Sequence, residues 1–218
     1  MILTPIPPDR LATALDRFAA RLDDPAARDA FASIRATSAE RAAGAVAEDH
    51  RQQALAIARD RGMAVHAAGT QCRFNWDGAA LDGDTEAYVI LHEVAHFALA
   101  TPERRRMVDF GLGPGPDTRD RAAAERAAVL PLDAREDDEA AASLLGILWE
   151  AALGQPALAS FLDQNWLEGL DRSAAPHFTA VLRRLSQPEL LIPAQAGIHL
   201  SAPGILAGMG PGLRRDHG

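Results

Sequence analysis

An apolar run, Tyr88 to Ala100, carries His92, Glu93 and His96 in its middle. Burying ionisable groups costs several kcal/mol unless each finds a partner, so the fold has to supply something that compensates these three. The candidate is a metal ion. His92-Glu93-Val94-Ala95-His96 has the HE-x-x-H pattern. Residues four apart on a helix are neighbours, so both imidazoles can face one ion, with Glu93 close enough to handle a proton of water held there. A helix is predicted here, with Asp84 as its cap, Glu86 in its first turn and Pro102 marking its end. The five-residue pattern alone would arise by chance in roughly one chain in a hundred, so its context has to carry the argument.

Two histidines hold an ion weakly, and a third ligand is expected from another element. The best candidate lies in "REDDEAAASLLGILWEAALG", a long helix predicted from Asp133 to about Gly154. Leu144, Leu145, Leu148 and Ala152 form its apolar face, while Glu139, Ala142 and Gly146 make a stripe of small residues headed by a carboxylate. Such a stripe lets another helix approach closely and would bring Glu139 to the histidine pair; Glu136 is the reserve candidate. The competing reading is that "REDDE" is an acidic, solvated first turn, a position that acids favour anyway.

Composition narrows the function classes. With 22 Lys and Arg against 30 Asp and Glu the formal charge is −8, and no segment gathers basic residues with interleaved aromatics, so no direct nucleic-acid partner is expected. One cysteine, Cys72, leaves no room for an internal disulfide or a Cys-based zinc cluster and fits a reducing compartment. "MILTPIPPDR" lacks the basic and apolar regions of a secretory signal, and no stretch approaches about 20 uninterrupted apolar residues. The expected location is the bacterial cytoplasm, without a membrane span.

Amphipathic periodicity and capping residues predict helices to about Asp23 (Asp9 as cap), behind Asp24 and Pro25, and from Thr37 to Arg61 with Thr37 and Glu40 at capping-box spacing. Residues 63–67 and 72–76 read as two short strands. "GLGPGPDT" is broken by Pro114 and Pro116, which excludes a dinucleotide loop and suggests a rigid loop lining the site. After it, "RDRAAAERAAVL", "FLDQNWLEGL" and "APHFTAVLRRLS" read as further helical segments, their aromatic stripes as core. His50, His66, His177, His199 and His217 have no partner at ligand spacing and read as surface or packing residues. The expected organisation is a single metal-binding catalytic domain over 1–187 and a Pro/Gly-rich, loosely ordered tail over 188–218. The words "IPAQAGIH", "AGM" and "GLRRD" within Leu191 to Gly218 resemble the translated product of a dispersed bacterial repeat.

From His92 to Asp120, "HEVAHFALATPERRRMVDFGLGPGPDTRD" resembles the bacterial elongation factor P hydroxylases, in which an HE-x-x-H helix precedes an "RR…VDFG…PD-x-RD" segment. The matching residues are Arg104, Arg105, Val108 to Gly111, Pro116, Asp117, Arg119 and Asp120. Glu139 stands at the family's spacing from "AALG" at Ala151 to Gly154, after an insertion around "AAVLPLDAR". Leu112, Gly113 and Pro114 replace the family's aromatic residues, and the N-terminal helical region has no obvious counterpart. The resemblance implies a site in which His92, His96 and Glu139 hold the metal, and a protein substrate, elongation factor P, hydroxylated on a modified lysine. Arg105, Asp109 and Asp117 are candidates to orient the ligands or the substrate.

A two-histidine, one-carboxylate set suits Fe²⁺ with dioxygen as well as Zn²⁺ with water. Three readings follow: an iron-dependent protein hydroxylase; a zinc metallopeptidase or other hydrolase with Glu93 as general base; and an inactive relic or binding module that has kept the helix without the chemistry. The expected fold is α+β and mostly α-helical, with a zincin-like HE-x-x-H helix beside a small β-sheet.

Overall fold

A computed structural model of the chain describes residues 6–167 and 174–186; the tail expected over 188–218 lies outside them. The described residues form a mostly helical α+β fold with a two-stranded sheet, as expected. The helices are α1 (Pro8–Ala20), α2 (Pro25–Arg35), α3 (Gly44–Asp60), α4 (Ala87–Leu99), α5 (Arg121–Ala127), α6 (Leu132–Ala152), α7 (Ala157–Asp163) and α8 (Ala174–Leu185). The strands β1 (Ala64–Val65) and β2 (Ala80–Leu81) pair in parallel, Ala64 with Ala80 and Val65 with Leu81. No helix among the described residues is long and apolar enough to cross a membrane.

Local chemistry sets most of these elements, and it also moves several expected boundaries. The Asp24 carboxylate accepts from Ala26 and Ala27 N–H, and Pro25 opens α2, as the sequence indicates. Asp9 lies in the first turn of α1 and is not its cap, which is Pro7. Thr37 does not start α3. Its hydroxyl donates to the Ile34 carbonyl and accepts from Leu158 N–H at 2.8 Å, so it closes α2 and serves an end of α7, while α3 starts at Gly44. Asp84 likewise does not cap α4; its carboxylate accepts from Gly69 N–H, and Glu86 takes the cap position. Residues 72–76 are not a strand. The Cys72 carbonyl accepts from the Arg119 guanidinium and the Arg73 carbonyl from Arg119 N–H, so these groups are spent on the loop after Gly115 and not on a ladder. Only Trp76 keeps a bridge, to Leu81, because an Asp77 turn with Gly78 at φ +93° sends the chain back to pair at Ala80. In the described part of "FLDQNWLEGL", Phe161 to Leu167, the helix ends at Asp163 and Asn165 stands at φ +62°.

Phe18, Phe31, Phe161, Trp166 and Phe178 form one aromatic cluster from α1, α2, α7, the segment after α7 and α8, so those stripes are core. Beside it α6 packs along α4, and α3 covers α4 elsewhere. The small-residue stripe makes the first of these contacts possible: a Cβ at Gly146 would sit 3.4 Å from the His92 Cα and N.

One buried carboxyl in this packing sets a pH dependence. Glu150 on α6 has a side chain only 3 % exposed, with Arg41 Nη1 at 3.6 Å. Burial pushes its pKa up to about 7; Ser160 and Arg41 act the other way, and Asp163 adds to the rise. The folded chain therefore binds more protons than the unfolded one between about pH 4.5 and 7. Its contribution is most favourable below that window, declines as pH rises through it and is constant above. Glu150→Gln should flatten this dependence and stabilise the protein by about 2 kcal/mol at pH 8, with little change at pH 5. Urea unfolding at the two pH values checks it; an equal effect at both would remove the titration from the explanation.

Candidate metal site

The α4–α6 contact brings together side chains 43 to 47 positions apart in sequence. His92, His96 and Glu139 offer ligand atoms that all lie within 4.8 Å of one another. The two Nε2 atoms are 3.0 Å apart, and Glu139 Oε2 is 3.4 Å from each. Metal bonds of about 2.1 Å set about 90–110° apart separate their donor atoms by about 3.0–3.4 Å, so the spacing fits one ion held by three ligands. His96 is 2 % exposed, while the Glu139 side chain stands at the mouth, 48 % exposed.

The protonation pattern also calls for a cation at this point. His96 Nδ1 lies 3.2 Å from Asp138 Oδ2, and an ionised carboxylate can only accept, so this nitrogen carries the N–H. In the neutral ring Nε2 then presents a lone pair, and it faces the Glu139 carboxylate. A lone pair against an anion is repulsive unless a proton or a metal ion lies between. Burial opposes a charge on His96, but Glu139 and Asp138 outweigh it and push its pKa up to about 10. Against the burial that opposes ionisation, His96 and His92 hold the Glu139 carboxyl well below the usual carboxylate range. A field that holds a proton this firmly also favours a divalent cation, which must displace that proton to bind.

Asp138 and Arg104 were not singled out as site residues by the sequence, yet they fix His96. The Arg104 guanidinium donates to both Asp138 oxygens at 3.0 and 3.1 Å, and its Nε donates to the Phe110 carbonyl. Burial works against the Asp138 charge, but His96 and Arg104 hold its pKa low. Asp138 lies inside the acidic "REDDE" run, where nothing marks one carboxylate from the next; Arg104 stands in the "RR" pair.

The segment after α4 supplies the wall of the cleft. Arg104–Arg106 and Val108–Gly111 form two 3-10 turns, the second with Asp109 at φ 44° and Phe110 at φ 52°. Two successive non-glycine residues in the left-handed region each cost of order 1 kcal/mol and persist only where the surroundings enforce them. Here Asp109 N–H donates to the Trp76 carbonyl, and the Phe110 ring stacks against both Trp76 and His96. The result aims Asp109 into the cleft, where its carboxylate accepts from the Thr118 hydroxyl at 2.7 Å. Burial raises its pKa.

The expected orienting groups therefore separate. Asp109 and Asp117 line the cleft, but the His96 ring is held by Asp138 and not by Asp109. Arg105 is not brought to the cleft: its Nε donates to the Phe97 carbonyl at 2.7 Å and its guanidinium covers the Phe97 ring. It satisfies an orphan carbonyl at the end of α4, a position where a cation is favoured. Glu136 lines the cleft, but its carboxylate is outside the three-ligand group. The loop Leu112 to Thr118 lines it as well, as expected for "GLGPGPDT". His177, read as packing, stacks on Trp166 and also borders the cleft. His66 is paired with Asp77 at 2.8 Å.

Glu93 is 8 % exposed and lines the cleft, accepting from the Asn75 amide at 3.3 Å. Burial raises its pKa, while His96 and His92 act in the opposite sense. Asn75 is a third residue that the sequence does not single out, because it lies in a stretch of strand-like composition.

The family model of elongation factor P hydroxylase matches residues 86–131. That segment holds α4 with both histidines, the two 3-10 turns and the cleft loop, and it stops short of Glu139. The match supports the family resemblance and suggests an enzyme of the hydroxylase kind. No curated protein and no solved structure matches the chain.

Proposed function

We propose that this chain is a metal-dependent protein hydroxylase similar to the elongation factor P hydroxylases, with Fe²⁺ held by His92, His96 and Glu139. The observation that carries the reading is the convergence of Glu139 on the two histidines of the matched segment, at separations one ion can span. Held by these three residues, the ion would supply the means to activate dioxygen. Of the two oxygen atoms one enters a substrate C–H bond; the other leaves as water, with two electrons from a reductant and two protons from solvent.

The chain's own residues do the rest. Asp138, clamped by Arg104, holds the His96 ring in the tautomer that presents Nε2 to the site. Glu93, buried at the cleft floor, can hold or release a proton at its carboxylate without leaving its place. Asp109 and the Gly113 to Thr118 loop bound the space in which the substrate side chain lies. The substrate is a protein, with elongation factor P the first to test. Iron-loaded enzyme, dioxygen and a reductant should add the mass of one oxygen atom to elongation factor P. No oxygen-dependent gain would count against this substrate.

The buried position of Glu93 beside the ligand group favours one second reading, a zinc hydrolase in which Glu93 takes a proton from water at the site. Peptide hydrolysis that is lost in Glu93→Gln with the zinc retained would move the assignment there.

A further inference from the structure

The main cleft, of about 1100 Å³, adjoins a second cavity of about 530 Å³, and Asn75, Tyr88 and Asp117 line both. The second cavity lies over Gly69 to Phe74 and Asp82 to Glu86, away from the ligands and polar in character. A substrate that reaches the metal with one limb and continues into this cavity has to pass the three shared residues.

We propose that Asn75 is a substrate-binding residue that pairs its side-chain amide with a secondary amide of the substrate at this junction. The inference rests on the reading of the cleft as a site for a protein substrate. The Asn75 Nδ2 donates one N–H to Glu93 Oε1 at 3.3 Å. This leaves the Oδ1 acceptor and the second N–H with no partner among the described residues. The residue itself is fixed: its main-chain carbonyl accepts from Asp82 N–H at 2.7 Å, and Phe74 and Trp76 on either side are buried. Tyr88, which also lines both cavities, is held by the Arg41 guanidinium 3.8 Å above its ring.

A half-buried primary amide with one donor and one acceptor open matches a group that can offer an N–H to Oδ1 or a carbonyl to the free N–H. A secondary amide does so. It also discriminates well, because a substrate lacking it leaves polar groups unpaired in a partly dry site. Two sources carry this chemistry, a main-chain peptide group and an amide on a modified side chain.

The test uses ¹⁵N-labelled, zinc-loaded full-length protein, in which the Asn75 side-chain amide resonances are identified as the pair that Asn75→Ala removes. Two probes are titrated to about 10 mM, a range suited to single contacts: Nα-acetyl-lysine methyl ester, which carries a secondary amide at the main chain, and methyl Nε-acetyl-lysinate, which carries it on the side chain. Each is compared with the same compound N-methylated at its amide. Saturable shifts of the Asn75 pair with one secondary-amide probe, absent for its N-methylated form, are expected and identify the source. No shift with either, or equal shifts with the N-methylated forms, overturns the proposal. Because this readout needs no turnover, it stands or falls separately from the hydroxylase reading.

With a turned-over protein substrate, Asn75→Ala should raise KM about tenfold, with metal content unchanged and kcat within about threefold. Asn75→Gln should recover part of the loss. A collapse of kcat at constant KM would instead restrict Asn75 to holding Glu93 and overturn substrate pairing. If Asn75→Ala does not fold, Asn75→Ser replaces it in both roles.

Discussion

Glu139→Ala should lose the metal. Protein purified anaerobically without added metal is expected to carry about one equivalent in wild type and nearly none in the variant, with affinity reduced at least a hundredfold, about 2.7 kcal/mol. The reason is geometric: Glu139 Oε2 is the third atom of the group, 3.4 Å from each Nε2, and two imidazoles alone hold an ion weakly. Glu136→Ala is the control. Glu136 lines the same cleft on the same helix, so its loss changes the charge of the cleft without removing a ligand. Elemental analysis of the three proteins decides the matter. Metal retained in Glu139→Ala and lost in Glu136→Ala would reverse the assignment, and metal absent from all three would favour the inactive relic. Iron in wild type supports the hydroxylase; zinc alone shifts weight toward the hydrolase.

Asp138→Ala should have the largest effect on stability. It leaves the Arg104 guanidinium, 11 % exposed, without its bidentate carboxylate, and removes the acceptor from His96 Nδ1. Removing one partner of a buried ion pair typically costs about 3–5 kcal/mol, since the other charge remains desolvated. Metal affinity should fall about 10–100-fold as the ring loses its orientation. Asp138→Asn separates the two effects: its side-chain oxygen can still accept from Nδ1–H, but the charge pair is gone. The folded Asp138 pKa lies below its ordinary value, so its stabilisation is present above about pH 4 and is lost as pH falls through the folded value. Urea unfolding of the metal-free proteins at pH 7 gives the stability term, and competition with a chelator gives the affinity. Wild-type-like values in Asp138→Ala would mean that the carboxylate, though in contact with His96, does not hold it.

The candidate histidines were legible because they have a strong local signal, and Glu139 because of the small-residue stripe that it heads. HE-x-x-H fixes two imidazoles on one helix face whatever surrounds it, and the Glu139-Ala142-Gly146 stripe announces a helix that can be approached closely. The long helix α6, the Asp24 cap and the loop character of "GLGPGPDT" were legible for the same reason. Other readings failed where a side chain had a distant competitor for its hydrogen bonds. Thr37 has capping-box spacing, but it closes α2 and meets Leu158 in α7. Residues 72–76 have strand composition, but their carbonyls are used by Arg119. Arg105 is a candidate from the sequence to orient the ligands or the substrate, but its side chain donates to the carbonyls at the end of α4.

What the sequence by itself determined is the histidine pair on one helix face and the mostly helical framework, because helical periodicity, caps and breakers act over a few residues and survive in any context. What only the tertiary structure decided is which groups surround that set. Asp138 rather than Glu136 or Asp137 meets His96 Nδ1, Arg104 rather than Arg105 clamps it, and Asn75 lies against Glu93 between two cavities. These choices depend on the approach of α6 to α4 and on the left-handed turn at Asp109 and Phe110. Long-range packing fixes both, and no local pattern encodes it.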